Sequence, residues 1–89
     1  MRYHFYKELI IIFQNEGGII FDPRNEEYFG LDYVGVIICR HIEANDDFHV
    51  IIDDLCNKFD VKNKTAKNDL DEFINQLLER NLLYHDSKF

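Results

Sequence analysis

Two turn signatures cut the first third of this chain into three short apolar runs, and they restrict its fold more than any other feature. Leu9-Ile-Ile-Ile-Phe13 consists of β-branched and aromatic residues that suit a pleated backbone, and it runs into Asn15-Glu-Gly-Gly18. Gly18-Ile-Ile-Phe21 follows and stops at Asp22-Pro-Arg-Asn25. There Pro23 presets the second position of a turn, and the Asp22 carboxylate is placed to cap it. Glu27-Tyr-Phe-Gly-Leu31 is the third run. Connections this short join neighbours in space, so segments of about 9–14, 18–22 and 27–31 are expected to form a three-stranded antiparallel meander. Strand alternation sends Leu31 and Phe29 toward the core and Tyr28 and Gly30 to the other face.

Beyond Leu31 the apolar period changes from two to 3.6. Asp32 is a candidate N-cap, and Val34, Ile37, Ile38 and Ile42 share one face of a helix over about 33–43. Asn45-Asp46 breaks that helix. Asp47 is the next N-cap candidate, before a stripe of Ile51, Ile52, Leu55, Cys56 and Phe59 over about 48–59. Val61, in the connection that follows, is expected to plug the core. Asn63 or a neighbour starts the third helix, about 64–80, with Ala66, Leu70, Phe73, Ile74, Leu77 and Leu78 as its apolar stripe. Arg80 in its last turn suits the helix dipole. Asn81 stands where the left-handed conformation is wanted, Leu82 and Leu83 fold back, and the tail from Tyr84 to Phe89 is expected to fray. The 89 residues make one α+β domain, 1–89, three strands then three helices, with the helices covering one face of the sheet.

The chain is 46% hydrophobic, so it should fold, and its net charge is −7. That balance argues against nucleic acid, whose phosphates dominate protein affinity. Lys58, Lys62, Lys64 and Lys67 are interleaved with acids and amides rather than gathered in a basic stripe. The longest apolar run, Leu9 to Phe13, is far short of a membrane span, and no signal peptide is legible. Cys39 and Cys56 fall on apolar helix faces and read as small buried hydrophobes, which makes the cytoplasm the default location.

Catalysis needs convergent groups, and none is legible. His4, His41, His49 and His85 are scattered. Cys39 and His41 point to different sides of a helix, and His49 with Cys56 lacks a third ligand. The single serine, Ser87, is in the tail. Asp53, Asp54, Asp69, Asp71, Glu72 and Glu79 lack the alternation of a calcium loop and read as a solvated helix face. Gly17-Gly18 precedes no helix, so it is not a phosphate loop. No catalytic residue, metal or cofactor is expected.

What remains is a strand edge. An outer strand is a template for another chain, and Glu26-Glu27 and Gly30 would equally well serve to blunt it. The functional alternative is β-augmentation, in which an extended peptide adds a strand and lays its side chains in an adjacent groove. With Leu70, Ile74 and Leu77 turned to the core, the third helix leaves Asp69, Glu72, Phe73, Gln76 and Arg80 on a flank suited to be that groove's other wall. Two further readings stand beside it: an acidic winged-helix regulator, and a structural subunit that dimerises through its sheet edge.

Three blocks resemble PqqD-like proteins. They are Glu27-Tyr-Phe-Gly-Leu-Asp32 with Gly35, Ile37 and Ile38; Phe48-His-Val-Ile-Ile-Asp-Asp-Leu55 with Phe59-Asp-Val61; and the run from Asp69 to Leu83. Together the match spans roughly Leu9 to Leu83. The chain departs from the pattern in lacking an aromatic near Cys39, in having Asn81 for a usual Gly, and in lacking a Gly at Asn45-Asp46-Asp47. The family is the recognition element for precursors of ribosomally made, modified peptides, and its fold is winged helix-turn-helix-like. The resemblance implies that a leader peptide adds a strand beside Glu27, Tyr28, Phe29, Gly30 and Leu31 and packs against Asp69, Phe73 and Gln76 of the third helix. Pockets beside Tyr28 and Phe73 would then give selectivity. The Tyr28-Phe-Gly-Leu31 form and the length look most like the stand-alone leader-binding protein of lasso-peptide pathways, whose partner is a leader peptidase. A partner of a radical-SAM enzyme is the near alternative. A monomer or weak dimer is expected.

Overall fold

The computed structural model describes residues 3–86. The three apolar runs form a sheet of order β2-β3-β4: β2 (Ile10–Phe13), β3 (Gly18–Asp22) and β4 (Glu27–Leu31), all antiparallel. The first hairpin closes where the Gln14 amide donates to the Gly17 carbonyl at 2.8 Å. In the second, the Arg24 amide donates to Asp22 Oδ1 at 3.0 Å, and Glu26 supplies the left-handed residue with φ 60°. Register pairs Ile20 with Ile11 on one side and with Phe29 on the other. Ile20 and Leu31 are buried while Tyr28 and Gly30 are exposed, so the alternation expected from the sequence holds.

Three helices cover the inner face: α1 (Tyr33–Glu43), α2 (Phe48–Phe59) and α3 (Asn63–Glu79). Asp32 caps α1 by accepting from the Gly35 amide at 2.8 Å. Ile20 from the sheet and Ile38, Ile51, Leu70 and Leu77 from the helices are closed to solvent and form the centre of the core. Val61 is half-buried and packs against it. Helices α1 and α3 end the same way. After α1 the Asn45 amide donates to Ile42 O and the Asp46 amide to His41 O. After α3 the Asn81 amide donates to Leu78 O and the Leu82 amide to Leu77 O. This paired pattern around a left-handed residue is the Schellman motif. Asn45 (φ 62°) and Asn81 (φ 59°) occupy the left-handed position that glycine usually fills. Arg80 is therefore the C-cap of α3 rather than part of its last turn.

Three further expectations need correction. The tail does not fray from Tyr84: Leu83–His85 is a strand, β5, paired antiparallel with β1 (Tyr3–Phe5) in a separate two-stranded ribbon. The partners lie at opposite ends of the chain; stacking of Tyr3 on Phe48 of α2 fixes the ribbon to the body, and Tyr6 packs at a tilt against Tyr84. Ser87 and Phe89 lie outside the described residues. Cys56 is only half-buried, with its thiol donating to Asn63 Oδ1 at 3.0 Å, whereas Cys39 is fully buried. The acidic face of α2 is not uniformly solvated. Asp54 is half-buried and accepts from His41 Nε2 at 2.6 Å and from Lys58, while His41 Nδ1 faces Asp46 Oδ2 at 2.8 Å.

Candidate functional site

β4 is an outer strand, paired only with β3 among the described residues. On any such strand alternate N–H and C=O groups point away from the sheet without a ladder partner. Alternation also sends the Phe29 side chain toward the helices. There it meets Phe73 of α3 edge to face, with ring centroids 6.2 Å apart. The Arg80 guanidinium lies over the Phe29 ring, 5.2 Å from its centroid, with Nη1 3.9 Å from Glu27 Oε1. Thus β4 and α3 face each other across an aromatic floor.

Toward the N-terminal end of α3 the floor opens into a cavity of about 260 Å3. It is lined by Asp69, Glu72, Phe73 and Gln76 from α3, and by Val34 and Gly35 from α1. Gly35 lets α1 come this near. A Cβ there would stand 3.3 Å from Phe73 Cε1 and equally close to Leu31 Cδ2 and Asp32 Oδ1. A glycine inside a helix costs about 1 kcal/mol relative to alanine, and here the loss secures the seat of the Phe73 ring. At the opposite end the space between Glu27, Phe29, Arg80 and Leu82 is only about 10 Å3, room for about one water. Arg80 closes it. Its ion pair with Glu27 joins two side chains that are each at least half exposed, and such pairs are worth under about 1 kcal/mol, so the closure is weak.

The candidate residues are therefore divided in three. Glu27, Phe29, Phe73 and Arg80 meet directly, and Asp69, Glu72 and Gln76 line the cavity beside them. Tyr28 and Gly30 lie on the outer sheet face, where the Tyr28 ring packs on Phe21 with centroids 4.7 Å apart. The Tyr28 and Phe73 side chains are thus on opposite sides of the sheet, although Tyr28 also borders the small space beside Arg80. Leu31 points into the core and has only main chain to offer. Val34 and the packing role of Gly35 were missed. The legible signal for the second was a glycine on the apolar side of a helix.

A polar staple around the buried Asp22 joins the β3–β4 turn to the turn after α3. Asp22 is buried and accepts from Arg24 Nε at 2.8 Å and Nη2 at 3.0 Å, while the same Nη2 donates to the Asn81 carbonyl at 2.6 Å. The Arg24 hydrogen bond holds the Asp22 carboxyl below its usual range, against the opposing effect of burial. Arg24 also lies 4.5 Å from the Tyr6 ring centroid. The β3–β4 turn, the α3–β5 turn and the ribbon are joined through this one guanidinium.

Among the described residues no group of three or more His, Cys, Asp or Glu is disposed to hold a metal ion, and no helix is long and apolar enough to cross a membrane.

Among curated proteins none matches the chain in sequence. Two solved structures match its fold along nearly its whole length. One is TbiB1 in complex with the TbiA(beta) leader peptide, at 26% identity and a TM-score of 0.84, covering 93% of this chain and 99% of that one. The other is lasso peptide synthetase B1 complexed with the leader peptide, at 17% identity and a TM-score of 0.86, covering 94% and 99%. The expected α+β, winged helix-turn-helix-like fold is the fold these chains share. The model of the coenzyme PQQ synthesis protein D (PqqD) family matches residues 17–83, well over half of the sequence, and the chain belongs to that family.

Proposed function

We propose that this protein binds the leader segment of a ribosomally synthesised precursor peptide and presents it to a separate enzyme, without catalysing a reaction itself. The observation that carries the reading is the β4 edge facing α3 across the Phe29–Phe73 floor. An extended peptide added beside β4 would exchange main-chain hydrogen bonds with the outward groups of Glu27 to Leu31. Alternate side chains would then fall into the groove against Phe73. Five residues of β4 span about 17 Å, so the core of the recognised segment is about five residues long. Membership of the PqqD family supports the reading, as does the shared fold of two chains solved with leader peptides. Asp69 and Glu72 at the open end favour a peptide with Lys or Arg there, and the net charge of −7 favours the same sign. The partner enzyme is a leader peptidase of a lasso-peptide pathway, or alternatively a radical-SAM enzyme. The complex belongs in the cytoplasm, where the precursor is made.

The test is fluorescence polarisation with a labelled leader from the precursor encoded beside this chain. Wild type should bind. Phe73→Ala should weaken binding at least about tenfold, equivalent to about 1.4 kcal/mol, and Asp69→Ala should weaken it less. Val50→Ala, exposed on α2, should bind as wild type does. Circular dichroism of each variant separates lost contacts from lost folding. A wild-type protein that ignores the peptide, or a folded Phe73→Ala that binds it unchanged, overturns the reading.

A further inference from the structure

Among the described residues that line the space between β4 and α3, Arg80 is the one cation. Carboxylates surround it, with Asp69 and Glu72 at the open end and Glu27 beside it. Arg80 and Arg24 each lie over an aromatic ring, but they use their N–H groups differently. Arg24 donates to both Asp22 oxygens and to the Asn81 carbonyl. The Arg80 side chain makes no hydrogen bond among the described residues. Its ion-pair partner Glu27 stands 3.9 Å away, beyond hydrogen-bond reach. A guanidinium carries five N–H donors in a fixed fork, and resting on a ring face engages its charge without using them.

The Arg80 fork is also held in place. Its charge rests on Phe29 of the strand edge, and its backbone is fixed one residue further on, where Arg24 donates to the Asn81 carbonyl at 2.6 Å. A group positioned before binding loses little freedom on binding. Glu27 competes weakly, because both side chains of that pair are at least half exposed. A carboxylate that meets the fork with two parallel hydrogen bonds displaces it. No pocket has to exist at this end for that contact.

The spacing along the groove suits a strand. At 1.5 Å per residue of α3, Arg80 lies about 12 Å from Glu72 and about 16 Å from Asp69. In an extended peptide, residues i and i+4 share a face and lie about 13 Å apart. One side chain of the peptide can therefore sit at the acidic end while another, four positions away, reaches Arg80.

We infer that Arg80 is a specificity residue that takes the side-chain carboxylate of an Asp or Glu in the bound peptide, so that the groove selects a segment whose acidic residue lies four positions from a basic one. This rests on the peptide-binding reading above. The sign of the effect is distinctive. A net charge of −7 repels acidic peptides at long range, so an acid that strengthens binding does so through a local contact.

The experiment titrates the full chain with the leader used above, labelled at one end and amidated at the other so that only side chains carry charge. Each acidic residue of the leader is changed singly to its neutral amide counterpart. One such change should weaken binding to wild type at least about fivefold, while the others leave affinity unchanged or raise it. Arg80→Gln should bind the parent leader more weakly by a similar factor and be indifferent to that same change. Circular dichroism verifies that Arg80→Gln is folded. Three results overturn the inference: a leader that binds and contains no acidic residue, neutralised leaders that all bind wild type as tightly as the parent, or a sensitive position that costs as much in Arg80→Gln as in wild type. A wild-type protein that binds none of the leaders overturns the peptide-binding reading instead.

Discussion

The His41 bracket yields a stability prediction whose sign follows from its geometry. His41 has carboxylate oxygens on both ring nitrogens, Asp46 Oδ2 at 2.8 Å and Asp54 Oδ2 at 2.6 Å, and its side chain is only 17% exposed. A neutral imidazole has one N–H and would turn a lone pair toward one carboxylate, whereas the imidazolium donates to both. Burial by itself pushes the ring's pKa down, but the hydrogen bonds to Asp54 and Asp46 outweigh it, and the folded value is raised above 6.5. A raised value means that this stabilisation is complete below about 6.5 and is lost as pH rises through the folded pKa. Asp54 sets the lower bound. Burial pushes its carboxyl up, but Lys58 and His41 hold the folded value below 3.8, so its contribution is present above 3.8 and lost as pH falls through the depressed value. Hydrogen bonds to charged groups are worth about 1.5–3 kcal/mol each. Against the desolvation of one ring, the two together leave a net of about 2 kcal/mol. His41→Gln should therefore lower Tm at pH 5.5 by about 10 °C, since 1 kcal/mol moves a domain of this size by about 4–8 °C. Thermal melts followed by circular dichroism at pH 5.5, 7 and 9 are the assay. The gap between wild type and variant should shrink as pH rises. A gap that stays constant from pH 5.5 to 9 refutes the imidazolium bracket.

Three further outcomes are expected. Asp22→Asn should lower Tm at neutral pH, and the difference should fade on acidification as the wild-type carboxyl, held low by Arg24, takes up its proton; thermal melts at pH 7 and at progressively acidic pH read this. Leu70→Ala removes a side chain with no solvent exposure and should cost about 2–5 kcal/mol, measured as a fall in urea midpoint with unchanged slope. Thiol titration of the native protein should modify Cys56 and spare Cys39, whose burial pushes its pKa up and withholds the thiolate; two equally fast thiols would contradict the packing.

Local chemistry was written plainly into the chain. Asn15-Glu-Gly-Gly18 and Asp22-Pro-Arg-Asn25 set the meander because turn residues act through their own backbone. Asp32 and Asn81 acted the same way, one as a cap and one as a left-handed residue. Strand alternation separated Phe29 and Leu31 from Tyr28 and Gly30 without any knowledge of the fold, because the side-chain period of a strand is two. Tertiary structure alone decided what came from distant parts of the chain. The pairing of Tyr3–Phe5 with Leu83–His85 has no local signal, and neither does the meeting of His41 with Asp54 or of Arg24 with the Asn81 carbonyl. The groove shows the division best. The sequence by itself determined which residues belong to β4 and to one flank of α3. Only packing determined that Phe73 meets Phe29 and that Gly35 makes room for it. Those relations depend on how two elements more than forty residues apart settle on a shared core, and no local preference encodes that.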